Sequence, residues 1–246
     1  MGTCIVITSG KGGTGKTTTA STVSSCLAAL GHSTLCIDCD IGLKNLDMVL
    51  GISDLAPSDF TEVISGVMPL SEAASEHPVI KNLYFLGAPI LNSPENIDSN
   101  DMAELIKEAK SAYDYCIIDC PAGIGSGFKL AAENADMAIV VATGDGVTLR
   151  CCQRTVSELK ELGIKDIRLL VNKVKPQRFK RTRSTIDDAI DIVGAQLIGV
   201  ISEDEAVVMA AASETPLALY ESKKAAEQFL RVAYRIKGTY LPIGKI

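Results

Sequence analysis

Ser9-Gly10-Lys11-Gly12-Gly13-Thr14-Gly15-Lys16-Thr17-Thr18-Thr19 satisfies the phosphate-binding pattern G-x-x-x-x-G-K-[ST] at every fixed position from Gly10 to Thr17. Its flanks fit the strand–loop–helix context that the pattern needs. Thr3-Cys4-Ile5-Val6-Ile7-Thr8 is a short apolar run rich in β-branched residues, as in a buried strand, and residues 18–30 are rich in Ala, Val and Leu, as in a helix. Glycines at 10, 12, 13 and 15 let the chain turn sharply and aim backbone N–H groups at one point. A β-phosphate at that point sits against the positive end of the helix dipole. With Thr14 and Thr18 completing the binding stretch, Lys16 is placed to reach the β- and γ-phosphate oxygens and the Thr17 hydroxyl to ligate Mg2+.

Working outward, 246 residues of which 47% are hydrophobic suit one α/β domain, 1–246, with a single doubly wound, mostly parallel sheet and helices on both faces. Residues 238–246 contain Gly238, Pro242 and Gly244 and read as a short irregular tail. The first strand begins close to Met1 and no apolar run approaches the ~20 residues that cross a bilayer, so a cytoplasmic protein without a signal peptide is expected.

The eight cysteines argue for neither a disulfide framework nor metal. Cys36 and Cys39 form C-x-x-C, but on a strand that spacing sends the side chains to opposite faces. Cys4, Cys26, Cys116 and Cys120 read as small core residues, and Cys151-Cys152 presents at most one thiol outward. His32 and His77 read as surface residues in turns.

Acids fall where a doubly wound sheet puts its ligand crevice, at the carboxyl ends of parallel strands. One strand ends in Asp38-Cys39-Asp40, and Tyr115-Cys116-Ile117-Ile118-Asp119 is a second apolar strand closing on an acid, the pattern of a Walker B element whose Asp119 holds Mg2+ through water. Glycines at 123, 125 and 127 make the next segment a mobile loop. Asn172-Lys173-Val174-Lys175 begins like the guanine-reading N-K-x-D, but the last residue is Lys, and the donors on guanine N1 and N2 need a carboxylate. ATP is therefore expected rather than GTP, with Asn172 as the adenine contact. Short helices are suggested at Asp59–Ser65 and Asp101–Ser111, a strand at Leu83–Leu86, a helix at Leu149–Leu162 closed by Gly163, and a last helix over Ser222–Lys237.

The net charge of −6 disfavours general attraction to nucleic acid or anionic membrane. Between 173 and 183, however, Lys173, Lys175, Arg178, Lys180, Arg181 and Arg183 occur without an acid. That run is open to two readings, a solvated loop or a phosphate-tracking patch for DNA.

The stretch from Lys11 to Thr18, with its second lysine at position 11, resembles the deviant Walker A motif of the MinD/ParA ATPases. The segment Asp38-Cys39-Asp40-Ile41-Gly42-Leu43-Lys44-Asn45-Leu46-Asp47 is similar to switch I of that family's septum-placing branch, and Asp119-Cys120-Pro121-Ala122-Gly123-Ile124 to its switch II. The resemblance spans residue 3 to about 237. It implies an ATP-sandwich homodimer in which Lys11 reaches the partner's nucleotide, Asp40 orients the attacking water, Asp38 stands behind Mg2+ through water, and Asn45 shapes the nucleotide edge. Family members carry Pro-Glu-Asp near the adenine where this chain has Ser202-Glu203-Asp204, which makes Glu203 a candidate there. By resemblance the chain is a slow Mg2+-dependent ATPase and dimerisation switch in septum placement, with a division-inhibitor or ATPase-activating partner and peripheral attachment to the membrane. The tail departs from the basic amphipathic helix that such attachment uses. A DNA or cargo positioner, or a nucleotide-dependent scaffold without turnover, such as a flagellar or polar assembly regulator, is the alternative.

Overall fold

A computed structural model of the chain describes all residues except 43–44, 56–57, 91–92, 176, 178–184, 221–223 and 244–246. Its centre is a sheet in which eight strands are found among the described residues: β1 Thr3–Thr8, β2 Thr34–Asp38, β3 Ser75–Glu76, β4 Leu83–Leu86, β5 Tyr115–Asp119, β6 Met137–Thr143, β7 Asp166–Val174 and β8 Gln196–Ser202. Their order across the sheet is β3-β4-β2-β5-β1-β6-β7-β8. Only the two-residue β3 runs antiparallel to its neighbour; the other pairings are parallel.

Around the sheet lie α1 Lys16–Ala29, α2 Leu46–Leu50, α3 Phe60–Ile64, α4 Leu70–Ala73, α5 Ser99–Ala112, α6 Ser126–Ala132, α7 Gly146–Glu161, α8 Ile186–Val193, α9 Glu205–Ala212 and α10 Lys224–Ile236. Alternation along the strands feeds two cores. Cys4, Val6, Cys116 and Ile118 face α5 and α7 (Met102, Leu105, Cys152, Val156), whereas Ile5, Ile7, Cys36 and Ile117 face α1 and α10 (Val23, Leu27, Phe229, Val232). Cys36 and Cys39 do fall in opposite cores.

β1 lies between β5 and β6, so the chain leaves its first strand at the point where strand order reverses and a crevice opens. α1 begins there and is buried along nearly its whole length between the sheet and α10, which explains its small residues. Two of its hydroxyls are satisfied within the helix: Ser24 donates to Ala20 O at 2.7 Å and Ser25 to Ser21 O at 2.7 Å.

Helix boundaries run beyond the expected ones wherever a cap lies upstream of the apolar pattern. α7 starts at Gly146 because Asp145 accepts the Thr148 N–H at 3.0 Å, and α5 starts at Ser99 because Asp98 accepts the Asn100 N–H at 2.8 Å. α1 begins at Lys16 rather than Thr18, since the loop's Lys and Thr already form the first helical turn.

His77 corrects the expectation of a surface residue. It is buried; its Nε2 lies 2.9 Å from the Leu50 carbonyl, and its Nδ1 accepts the N–H groups of Val79 at 3.1 Å and Ile80 at 3.0 Å. A neutral imidazole offers one donor and one acceptor, so both ring nitrogens are satisfied away from water. The last helix buries Ala225, Phe229 and Val232 as its period predicts. In its last turn Arg235 donates from Nε and Nη2 to the Leu241 carbonyl and from Nη1 to that of Ile198, which draws the chain after α10 back onto the sheet.

Candidate functional site

The loop between β1 and α1 is shaped by its surroundings as much as by its own glycines. Gly13 and Gly15 take φ of +78° and +96°. A Cβ at Gly10 would lie 2.4 Å from the Cys151 carbonyl carbon, and one at Gly15 2.3 Å from Asn172 Nδ2, so these two positions are closed to any side chain. At Gly12 and Gly13 a Cβ would meet nothing within 4 Å, which leaves that rim of the loop open to a ligand. Ser9 Oγ donates to the Lys11 carbonyl at 2.7 Å and steadies the turn, while the Lys11 side chain stands exposed. Lys16 and Thr14 are buried, and Thr14 Oγ1 has no hydrogen-bond partner.

Facing this loop are acids at the ends of adjacent strands. Asp38 and Asp119 are register partners of β2 and β5, and both are buried. Asp38 accepts the Asp40 N–H at 2.8 Å on one oxygen and the Leu46 N–H at 3.3 Å on the other. Burial pushes Asp38 up to about 6 despite those bonds. Asp119 is pushed up to about 8, by burial first and by the Asp38 charge next, with the Thr17 hydroxyl and Lys16 acting in the opposite sense. Its Oδ1 is buried with no hydrogen-bond partner. Asp40 is half-buried; burial raises its carboxyl and Lys16 draws it back.

An orphaned carboxylate oxygen, a second acid in register and the Thr17 hydroxyl form an all-oxygen set that fits a hard cation, and the Lys16-bearing loop fits a phosphate chain. Gly10 to Thr18, Asp38, Asp40 and Asp119 are therefore brought to one place. Asn45 stands exposed at the start of α2 and makes no side-chain cap bond. Glu203 sits past β8, where its carboxylate pairs with Lys175 Nζ at 2.5 Å. The same loop is tied down by Gln228, which accepts the Ser202 N–H at 2.7 Å and donates to Ser202 Oγ at 3.0 Å.

Asn172, the expected adenine contact, is bonded to the phosphate loop: its Nδ2 donates to the Thr14 carbonyl at 2.9 Å. Sequence reasoning placed Lys173 in the basic run and not at the nucleotide site, although its Nζ donates to the Gly13 carbonyl at 2.8 Å. Glu95 was missed too; it accepts hydrogen bonds from Ser93 and Ser126, which holds its carboxyl down at about 2 and ties the segment before α5 to the start of α6. Ser126 follows the glycine loop, in which Gly123 takes φ of +94° and donates its N–H to the Ser9 carbonyl at 3.4 Å. The acid-bearing loop and the phosphate loop are thus in direct contact.

A sheet whose phosphate loop leaves at the switch point, facing carboxylates on the neighbouring strands, is the architecture of a P-loop nucleotide hydrolase. Residues 5–217 match the family described as the CobQ/CobB/MinD/ParA nucleotide binding domain. The chain belongs to this family and is a P-loop ATPase of the MinD type. It is 37% identical to the septum site-determining protein MinD of Thermotoga maritima, over 99% of this chain and 91% of that one. Among solved structures, the MinC:MinD cell division protein complex of Aquifex aeolicus superposes with a TM-score of 0.91 at 33% identity, covering 99% of both chains. The septum site-determining MinD of Pyrococcus horikoshii, complexed with Mg-ADP, superposes with a TM-score of 0.84 at 29% identity over 96% of both chains.

Proposed function

We propose that the chain is an ATP-driven dimerisation switch in the placement of the division septum. The observation that carries this reading is the convergence of Lys16, Thr17 and the register pair Asp38 and Asp119 on one crevice. Lys16 and the loop amides hold the β- and γ-phosphates; Thr17 ligates Mg2+, and Asp38 and Asp119 hold it through water. Mg2+ bound there supplies neutralisation of charge on the phosphate oxygens. Asp40, half-buried beside Lys16, orients the attacking water and accepts its hydrogen bond. Gly12, Gly13, Thr14, Gly15 and Thr18 shape the cradle, and Asn45 and Glu203 border the nucleotide's edge. Asn172 braces the loop through one N–H of its Nδ2 and keeps the second N–H for the base.

Exposed on the loop, Lys11 is the residue through which a second copy's nucleotide is completed. The contact between Gly123 and Ser9 gives a route by which loss of the γ-phosphate changes the acid-bearing loop, and hence a partner surface. A division inhibitor of the MinC kind is the partner that the Aquifex complex suggests. No helix among the described residues is long and apolar enough to cross a membrane, so attachment to the inner face of the cell membrane is peripheral in this reading.

The experiment is sedimentation of the Asp40→Ala protein with Mg-ATP or Mg-ADP, alone, with anionic liposomes and with duplex DNA, beside turnover of the parent. Dimerisation with ATP and pelleting with liposomes is the expected result. No ATP-dependent dimer would overturn the switch, and a parent without turnover in the presence of lipid, DNA and cell-extract partners would make it a scaffold. DNA retention would move the reading to a DNA positioner. Of the basic run, Arg178, Lys180, Arg181 and Arg183 lie outside the described residues, while Lys173 and Lys175 are engaged with Gly13 and Glu203.

A further inference from the structure

The bulge near the end of β7 and the phosphate loop it touches point to a residue role that the motifs do not contain. We propose that Lys173 is a positioning residue for the ATPase reaction, turned onto the phosphate loop so that it and Asn172 fix the peptide planes that receive the nucleotide's phosphates. The inference rests on the nucleotide-site reading above and adds a residue to it.

Three observations carry it. First, the pairing of β7 with β8 shifts register between Val171 and Val174, and bulges of this kind re-aim a side chain at the edge of a site. Second, Lys173 itself takes φ of +55°, a left-handed conformation that a lysine adopts only where its surroundings hold it there. Asn172 is one of those surroundings, since its Oδ1 accepts the Lys173 N–H at 2.9 Å. Third, the aimed ammonium donates to the Gly13 carbonyl at 2.8 Å while Asn172 Nδ2 donates to the next carbonyl, that of Thr14, at 2.9 Å.

The consequence follows from the trans peptide. Within each planar unit the carbonyl and the following N–H point in opposite directions. Holding the Gly13 and Thr14 carbonyls toward β7 therefore turns the N–H groups of Thr14 and Gly15 away from it. Two consecutive donors are set before the phosphate arrives, and binding need not order them. A plain strand would send the side chains of 172 and 173 to opposite faces. The bulge and the left-handed Lys173 instead let both reach the same loop.

The test uses Lys173→Gly, Lys173→Met and Lys173→Arg in the full chain, with fluorescent mant-ATP and mant-ADP in Mg2+ buffer, steady-state hydrolysis and thermal melting. Glycine takes the left-handed backbone without strain, so Lys173→Gly removes the side chain and the strain together, whereas Lys173→Met removes the ammonium and keeps the strain. The expected result is weaker binding of both nucleotides by about tenfold in both variants, from loss of a charge-assisted hydrogen bond. KM should rise in step while kcat changes less, because the bond prepares ground-state phosphate binding; Lys173→Arg should recover part of the affinity. Melting of the nucleotide-free Lys173→Gly protein should match or exceed the parent. A Lys173→Gly protein that binds as the parent does, or affinity losses that follow melting temperature across the three variants, would overturn the proposal alone. A parent that binds neither nucleotide would overturn the reading of the site and the proposal with it.

Discussion

Asp38 and Asp119 stand opposite one another in the parallel register of β2 and β5, both buried, with Oδ1 of Asp119 left without a partner. Without a cation this is an electrostatic cost built into the fold. Each carboxyl is pushed above the ordinary range, to about 6 and about 8, by burial first and then by neighbouring acids. Asp119→Asn keeps the volume and an acceptor for Thr17 but removes the carboxyl that is costly to ionise. In Mg2+-free protein the substitution should raise the free energy of unfolding by about 1–3 kcal/mol, read by urea denaturation. Mg-nucleotide should then stabilise the variant less than the parent, and equal stability of the two without Mg2+ would remove the idea of a strained acid pair.

Asp40 is distinct from that pair in being half-buried; burial raises its carboxyl and Lys16 draws it back. Asp40→Ala should therefore lower single-turnover hydrolysis by roughly 10²–10⁴-fold, the usual size of a lost general base or water-orienting group, and leave mant-ATP affinity within a few-fold. Lys16→Ala should lose affinity and turnover together. If Asp40→Ala weakens binding as much as it weakens hydrolysis, its place is with the phosphate ligands.

His77 links the end of α2 to the segment before β4 through three hydrogen bonds, two of which need an unprotonated Nδ1. Burial lowers its pKa from the ordinary 6.5, partly opposed by the Leu50 carbonyl. A folded-state pKa below the unfolded one gives stability that is present above pH 6.5 and is lost as pH falls toward the folded value. His77→Asn should flatten part of that dependence: the parent should lose more stability than the variant between about pH 7.5 and about pH 5 in urea titrations. Parallel pH profiles would show that the imidazole takes up its proton equally in the folded and unfolded chains and would remove the idea that burial lowers its pKa.

The strands and the acid-ended crevice were legible because parallel strands buried on both faces leave continuous apolar runs, and Leu83–Leu86 and Tyr115–Asp119 have the bounds that their sequences suggest. Helix starts were less so, since Asp98 and Asp145 extend α5 and α7 upstream of the first periodic apolar residue. At the site, the loop, Lys16, Asp38 and Asp119 could be placed from motif and strand position alone. Lys173 could not, because its role depends on a bulge and on a backbone φ that no residue type announces. His77 was misread for a similar reason: its burial is set by carbonyl and amide groups distant from it in sequence or hidden in the backbone.

Two glycines of the loop should separate folding from binding. A Cβ at Gly10 would lie within 2.6 Å of three Cys151 atoms, two of them backbone, so Gly10→Ala must displace either the loop or α7. Such overpacking costs typically about 1–3 kcal/mol, and the variant should melt lower as well as bind poorly. Gly12 has open space around its Cβ position and no left-handed backbone, so Gly12→Ala should melt as the parent does. The methyl group would instead occupy the open rim of the cradle, where a phosphate must approach the backbone closely. Mant-ATP titration of Gly12→Ala should therefore show affinity loss with unchanged melting. Unchanged affinity would place the phosphates on the other side of the loop, toward Gly15 and Lys16.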